Sequence, residues 1–283
     1  MTSNKALFKQ MFLQKRHYAD LVLLIQTFAV AFMFLMGIIF KGNSNPVNNI
    51  ASGFVGNDNI WDLILGLGTI TTFLADATFL GLMCWQNEKI NLSQTWQLIP
   101  ASGSKIWIIN IISSIAECAY IFVIQVVIGM IVLIIDSYSH NINPFVGTSF
   151  GANISFGETV WAFVEELLAL IGLVLIIFAF VSLTNFLTRT IADQLPMKNT
   201  TGVRLVVMAI LVIVGVIIAL RINDQILTMY TNHLFARANK AIDVDTLGIS
   251  TLEYWIGAIL LGIINCLLIQ KFVEPKLLIV RKG

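Results

Sequence analysis

The chain alternates between long apolar stretches and polar segments that contain Gly, Asn or Pro. A helix that crosses the hydrocarbon core of a bilayer needs ~20 consecutive, mostly apolar residues, and six stretches approach or exceed that length. The pattern predicts an all-α integral membrane fold with six transmembrane helices in a single domain, residues 1–283. The predicted spans are about 21–40, 60–84, 106–135, 159–187, 205–220 and 252–272.

The composition supports the same class of protein. Hydrophobic residues make up 57% of the chain and charged residues only 12%, whereas a soluble domain carries about 25% charged residues. This number of charged residues is too small to cover a globular surface in water. Much of the surface is therefore expected to face lipid. The net charge of +1 gives no indication of a nucleic-acid partner.

The distribution of Lys and Arg predicts the orientation, because cytoplasmic loops carry an excess of these residues. With the N-terminus inside, four of the basic residues fall outside: Lys41, Arg221, Arg237 and Lys240. All the others fall inside: Lys5, Lys9, Lys15, Arg16, Lys89, Lys105, Arg189, Lys198, Arg204, Lys271, Lys276, Arg281 and Lys282. Both termini are therefore predicted to be cytoplasmic, in a multi-pass protein of a bacterial cell (plasma) membrane.

Two amphipathic segments flank the predicted spans. Near the N-terminus, Leu7, Phe8, Met11 and Phe12 recur at helical spacing among basic residues, which predicts a helix lying in the membrane interface before the first span. Between the last two spans, the segment 224–241 also has one apolar helical face and predicts a helix on the outer surface.

A polar segment between the second and third spans, WQNEKINLSQTWQLIPASGSKIW, is longer than a simple connection requires. Apolar residues such as Leu92 and Trp96 lie among polar neighbours, as in a short surface helix. Pro100 is expected to end that helix, because proline disfavours a helical conformation in the residue before it. The segment is either an ordinary loop or a docking surface for a soluble cytoplasmic partner, and the docking interpretation is favoured.

The sequence lacks motifs for ATP binding, intramembrane proteolysis and metal binding. No GxxxxGK[ST] phosphate-binding loop is present, so any ATP hydrolysis linked to this chain belongs to another polypeptide. A glutamate-type intramembrane protease would show EExxxR and FxxxH, but Leu170 stands in place of the arginine and Met229 in place of the phenylalanine. Without a His- or Cys-rich ligand set, the chain is predicted to be neither an enzyme nor a metal or cofactor protein.

The acid after the second span, the amphipathic segment and the motif L-x-P-x-S-x-x-K-I resemble the permease subunits of ATP-binding-cassette exporters of the second type. The six-span layout with both ends inside is similar too. In that family this loop forms a coupling helix that docks on a separate ATPase, which binds ATP and Mg. The resemblance implies that Glu88 starts the coupling helix and that Trp96 and Leu98 lie on it. Three further residues would form the turn into the third span: Pro100, Ser102 and Lys105.

Four acidic residues fall inside the predicted spans. Asp76 and Glu117 lie in the second and third spans, and Glu165 and Glu166 lie towards the outer part of the fourth. A charged acid at a helix centre costs roughly 2.5–3.5 kcal/mol, so such residues usually face protein or water. Asp76 and Glu117 are expected either at a pathway or subunit interface, or as protonated carboxyls bonded to Ser or Thr. Glu165 and Glu166 are alternatively at headgroup level.

These observations favour a permease subunit that exports an amphipathic peptide, drug or lipid-like substrate. It would act with an ATPase subunit and a second permease, identical or homologous, in contact with membrane lipid. Two alternatives remain: a proton-coupled secondary carrier that uses Asp76 and Glu117, and a membrane scaffold without transport activity. Ion-coupled carriers often show paired broken spans, and the sequence shows no such pair.

Overall fold

The computed structural model describes residues 3–39, 60–139, 156–194, 200–237 and 246–273. Within these ranges every regular element is a helix. The helices are α1 Asn4–Ile39, α2 Ile60–Asn91, α3 Gln94–Gln97, α4 Gly103–Ser139, α5 Phe156–Gln194, α6 Thr200–Arg237 and α7 Thr246–Leu268, which continues into the π-helical turn Ile269–Val273.

All of these helices except α3 are long and apolar enough to cross a membrane, which gives six candidate spans. For the described residues, the prediction of an all-helical fold with six helices long and apolar enough to span a membrane is confirmed. Parts of the predicted connections lie outside the described residues: residues 40–59 between the first two spans, residues 140–155 between the third and fourth, and residues 238–241 of the predicted outer helix.

The helices are longer than the apolar stretches that predicted them. Helix α6 has 38 residues, or about 57 Å at 1.5 Å per residue, against a hydrocarbon core of about 30 Å. A separate amphipathic helix was predicted before the first span and another between the last two spans, and the structure differs from both predictions. The N-terminal one is the beginning of α1, and the segment from Asp224 to Arg237 continues α6. The hydropathy of the sequence predicts only the part of a helix that lies inside the bilayer. Polar residues with adequate helix propensity can continue the same helix beyond the bilayer.

The chain forms two compact units. Of the described residues, the amino-terminal unit contains 3–39, 60–87 and 112–139, and the carboxy-terminal unit contains 88–111, 156–194, 200–237 and 246–273. Helices α2 and α4 each contribute residues to both units.

In the amino-terminal unit, α1 packs beside α2 and α4. An apolar cluster around Leu63 and Leu67 of α2 also takes in Met33 and Phe34 of α1. Polar side chains reinforce this packing, as in the bond from Gln26 Nε2 to Thr72 Oγ1 at 2.9 Å. Interhelical hydrogen bonds are effective in a membrane because lipid offers no polar partner in exchange.

In the carboxy-terminal unit, α5 packs against α7 and α6. Two side-chain donors fix α7 on α5: Asn265 Nδ2 donates to the carbonyl of Ala179 at 2.8 Å, and Trp255 Nε1 donates to that of Leu168 at 3.0 Å. Gly172 makes the second contact feasible, since a Cβ there would lie 3.0 Å from the Trp255 ring. Small residues at helix contacts permit this close approach.

Large apolar side chains cover the outer surfaces of the helices. Phe28 is 69% exposed, Phe73 75% and Leu205 70%, and no described residue between Gly202 and Ile226 is buried. A soluble protein rarely exposes apolar patches of this extent. The exposed surfaces therefore suit the hydrocarbon core of a bilayer.

Candidate functional site

The loop between α2 and α4 has a defined backbone conformation. The backbone N–H groups of Leu92 and Ser93 donate to the carbonyls of Glu88 and Ile90, both at 3.1 Å, which closes the last turn of α2. After the single turn α3, the N–H of Ile99 donates to the Trp96 carbonyl at 3.4 Å. The prediction of a short helix in this loop is confirmed, although it is limited to four residues.

The loop ends in a helix cap on α4. The Ser102 carbonyl accepts from the N–H of Ile106 at 3.1 Å, and Ser102 Oγ accepts from the N–H of Lys105 at 3.4 Å. Serine is a preferred residue at this position because its oxygen satisfies an unpaired N–H of the first helical turn. Pro100 and Ser102 are exposed and Lys105 is half-buried. Pro100 and Ser102 therefore lie in the connection that leads into α4, and Lys105 lies in its first turn.

Two bulky apolar residues of the loop point in opposite directions. Trp96 is buried, with 8% exposure, whereas Leu98 is 75% exposed. Trp96 therefore holds the short helix against its own unit, and Leu98 presents an apolar side chain outward beside the exposed Pro100. Because hydrogen bonds hold the loop backbone in place, Leu98 can contact a partner with little loss of conformational entropy.

Glu88 does not start a separate helix, and this prediction is wrong. It lies in the last turn of α2, because no residue between Trp85 and Asn91 interrupts the helix. Its carboxylate accepts from Ser182 Oγ at 2.7 Å and from Asn185 Nδ2, both on α5. It also accepts from Asn91 Nδ2 at 3.3 Å.

This network extends from Glu88 into α4. Asn91 Oδ1 accepts from Asn110 Nδ2 at 3.0 Å, and Asn110 is fully buried. Arg189, one turn after Asn185 on α5, adds an electrostatic interaction with Glu88. Helices α2, α4 and α5 are consequently joined by one set of polar side chains, which we call the Glu88 network: Glu88, Asn91, Asn110, Ser182 and Asn185.

A second polar cluster lies in the amino-terminal unit around Lys15, which is fully buried. Its Nζ donates to Asn87 Oδ1 at 2.8 Å, to Ser113 Oγ at 2.8 Å and to Ser114 Oγ at 2.6 Å. Ser114 Oγ also donates to Asn87 Oδ1 at 2.6 Å. All three hydrogen-bonding directions of the ammonium group are used, which is the usual condition for burying a lysine.

Glu117 lies one helical turn from Ser113 and Ser114 on α4 and is also fully buried. Neither carboxyl oxygen has a hydrogen-bond partner among the described residues. Lys15 and Arg16 interact with it electrostatically. A buried carboxyl without a hydrogen bond is unusual in a folded protein, so Glu117 is a candidate for a functional role.

Asp76 belongs to a different group of side chains in the same unit. Gln125 Nε2 donates to Asp76 Oδ1 at 2.9 Å and to Gln26 Oε1 at 3.1 Å. Gln125 lies two helical turns beyond Glu117 on α4. The structure therefore places Asp76 and Glu117 in separate polar clusters and pairs Asp76 with an amide.

The two adjacent acids of α5 differ in environment. Glu165 is half-buried and lines a shallow cavity with Trp161, Leu168 and Thr251, whereas Glu166 is exposed. In the described part of the chain, no group of three or more His, Cys, Asp or Glu side chains is close enough to hold a metal ion.

Sequence reasoning missed the partners of these groups. Lys15 was counted only as a surface charge, and four polar residues inside the spans were not singled out: Ser113, Ser114, Ser182 and Asn185. A detectable signal was the recurrence of Ser and Asn within otherwise apolar helices, since polar side chains in a membrane favour the protein interior.

Comparison with known proteins gives no further identification. No protein-family model, curated protein or solved structure matches the chain.

Proposed function

We propose that this chain is the membrane-spanning permease subunit of an ATP-binding-cassette exporter, with a separate ATPase docking on the loop between α2 and α4. The observations that carry the proposal are the exposed Leu98 on this loop and the hydrogen bonds that join Glu88, in the last turn before the loop, to α5. Leu98 offers a contact to a soluble partner, and Glu88 connects the helix that leads into the loop to α5.

Displacement of the loop would act on the helices through this connection. A partner that moves the α3 turn moves the last turn of α2, because the loop backbone is bonded to it. Glu88 then pulls on Ser182 and Asn185 of α5. Packed helices respond to such a load as rigid bodies. ATP and Mg are bound by the ATPase, and the residues of this chain transmit the motion.

The remaining features of the proposal follow the predicted topology. Both termini and the α2–α4 loop lie in the cytoplasm of a bacterial cell, where a soluble ATPase has access. The cargo, an amphipathic peptide, drug or lipid-like molecule, passes along a path between two permease chains, identical or homologous. The outer surfaces of the helices face lipid.

The test replaces Leu98 with Asp and uses Tyr138→Asp as the matched control. Tyr138 is also a large exposed side chain, 78% against 75%, and it lies near the far end of α4. The tagged full-length variants are purified in mild detergent from the native host. The proposal expects a stoichiometric protein with a GxxxxGK[ST] motif to accompany the parent and the Tyr138 variant, and Leu98→Asp to lower its yield at least tenfold.

A cysteine at position 98 sharpens this test. We expect Leu98→Cys to form a crosslink to that ATPase that changes in yield when ATP is added, and Tyr138→Cys to form none. Equal recovery of the ATPase with both aspartate variants would overturn the docking site. Recovery of the chain alone from several gentle detergents would overturn the permease proposal.

A proton-coupled carrier is the second candidate, and the buried carboxyl of Glu117, which has no hydrogen-bond partner among the described residues, favours it. This function predicts that a pH gradient drives uptake or release in proteoliposomes that contain the chain alone, and that Glu117→Gln abolishes it. If the chain gives no gradient-driven flux, this candidate is excluded. A non-transporting scaffold would give no flux with or without an ATPase.

A further inference from the structure

A cavity of about 560 Å³ lies in the amino-terminal unit between α1, α2 and α4. Most of its wall is apolar, and a strip of polar side chains lies towards one end. Among the described residues that line it, Asp76 is the one ionisable side chain. Its lining includes Gln26, Phe34, Gly68, Asp76, Gln125 and Gly129.

The polar strip holds the wall of the cavity in place. Gln26 donates to Thr72, and Gln125 donates to both Gln26 and Asp76, so that one chain of hydrogen bonds links all three helices. Asp76 Oδ1 accepts the bond from Gln125, and Oδ2 accepts none from the described residues. Asp76 is itself exposed in the structure. Its second oxygen is therefore free to meet a bound molecule.

The two ends of the cavity differ in polarity along the helices. Asp76 and Ile64 of α2 both line it and are twelve positions apart, about 18 Å at 1.5 Å per residue. The acid stands at one end, and Phe34 packs beside Leu63 and Leu67 at the other. A molecule that fills the cavity therefore meets a carboxyl at one end and hydrocarbon along the rest.

We propose that this cavity binds an amphipathic cation, with a protonated amine against Asp76 and an apolar tail towards Phe34. Charge complementarity selects the occupant, because a carboxylate in a membrane-spanning helix is stabilised by a cation, and the described residues that line this wall include no Lys, Arg or His. The volume lies within the range of ordinary ligand sites, about 300–1,000 Å³. Neutral or anionic amphiphiles lack the interaction that would orient them.

This inference goes beyond the proposed function, and only the identification of the bound amine as cargo rests on it. Binding requires neither ATP nor a second subunit, so it is tested on the purified full-length chain. The chain is placed in nanodiscs of phosphatidylcholine and photolabelled with dodecylamine that carries a diazirine on its chain. Dodecanol with the same diazirine serves as the neutral probe, and labelled peptides are identified by mass spectrometry.

Two glycines on the wall allow the cavity to be filled without a clash. A Cβ at Gly68 or Gly129 would have no neighbour within 4 Å, and the same is true of Gly81, which does not line the cavity. Gly129→Leu should therefore block labelling of the cavity by both probes, whereas Gly81→Leu should leave it unchanged. Gly129→Leu keeps the test valid if a change at Asp76 alters the fold.

The charge is tested by Asp76→Asn, whose side-chain oxygen can still accept from Gln125. We expect labelling of cavity peptides by the amine to fall about tenfold, the effect of one charge-assisted bond, while labelling by the alcohol stays within twofold. Asp20→Asn, at an exposed acid of α1 outside the cavity, is the control and should change neither.

Competition identifies the source of the amine. Suppression by free dodecylamine alone supports a single-chain amphiphile, and suppression by added phosphatidylethanolamine supports the amino headgroup of a lipid. Equal labelling by amine and alcohol in the parent, or labelling of cavity peptides that Gly129→Leu does not reduce, would overturn the proposal. Either result would leave the ATPase-docking proposal standing, because Leu98 and its loop play no part in it.

Discussion

At the scale of single residues, polar side chains inside the apolar helices act as joints between them. Lys15 connects α1 to the end of α2 and to α4, and Glu88 connects α2 to α5. Each is surrounded by hydrogen-bond partners supplied by other helices. A joint of this kind resists the separation of helices in lipid, where the freed groups would find no water.

The joint at Lys15 is tested by Lys15→Met, which keeps an unbranched side chain but removes the ammonium group. Asn87, Ser113 and Ser114 then lose a charged donor, so we expect the free energy of unfolding in detergent to fall by about 2 kcal/mol or more. Lys9→Met, at an exposed position of α1, is the control and should change it little.

Lys15→Met also tests whether Lys15 stabilises the Glu117 carboxyl. In a double-mutant cycle with Glu117→Gln, we expect a coupling energy between the two side chains of about 0.5–3 kcal/mol. Glu117→Gln should therefore harm the Lys15→Met protein less than the parent. Additive effects on the melting temperature would show that the two side chains act independently.

Glu88→Ala tests the joint between α2 and α5. It leaves the Ser182, Asn185 and Asn91 donors without their shared acceptor, so we expect a loss of about 1–3 kcal/mol in the free energy of unfolding. Glu88→Gln keeps one acceptor oxygen and should lose less. Glu166→Ala, at an exposed acid on α5, supplies the baseline in the same thermal assay. A melting temperature equal to that of Glu166→Ala would contradict the role given to the network.

Residue pattern located the loop but not these joints. Trp96 and Pro100 were found because an amphipathic segment ended by proline has a local signature, whereas Ser102 was named only from the family resemblance. Lys15 was missed because its partners lie 72 to 99 positions away, and a single sequence carries no mark of which distant residues meet. Glu88 was assigned to the start of a new helix because the family resemblance implied it, and the polar residues around it gave no sign that α2 continues to Asn91.

At the scale of the elements, close approach of helices depends on particular glycines. A Cβ at Gly215 of α6 would clash with the ring of Phe180 on α5. Real Cβ atoms do not come this close, so any side chain at this position requires the phenylalanine or the helix to shift.

Gly215→Ala is expected to lower the free energy of unfolding by about 1–3 kcal/mol, the usual effect of overpacking. The second change Phe180→Leu removes the ring atoms involved and should restore part of the loss. Gly81→Ala, with open space at its Cβ, serves as the control. If Gly215→Ala melts at or above the parent temperature, α5 and α6 do not pack as described.

The number and position of the long helices were predictable, because an apolar run of the required length has few alternatives in a membrane. Their ends were not. Helix α4 runs to Ser139 past Asp136 and Tyr138, since no proline or glycine stops it there. The π-helical turn Ile269–Val273 also had no signature in the pattern.

At the scale of the whole molecule, the orientation remains a prediction from the basic residues, and cysteine accessibility tests it. Single cysteines replace Lys9, Leu98 or Tyr138 after removal of Cys84, Cys118 and Cys266. An impermeant maleimide added to intact cells should label only the cysteine at position 138, and the other two should react after permeabilisation. The reverse pattern would invert the topology and remove the loop from the ATPase.

The length of α6 has a consequence for the lipid around the protein. Its apolar part, Gly202–Ile226, contains 25 residues, or about 37 Å at 1.5 Å per residue, which exceeds the ~30 Å hydrocarbon thickness of a typical bilayer. Such a helix must tilt or stretch the lipid, at a cost of fractions of a kcal/mol per Å. The stability of this protein should therefore depend on the length of the lipid acyl chains. It should be most stable in bilayers thicker than average, and thin bilayers should thicken around it.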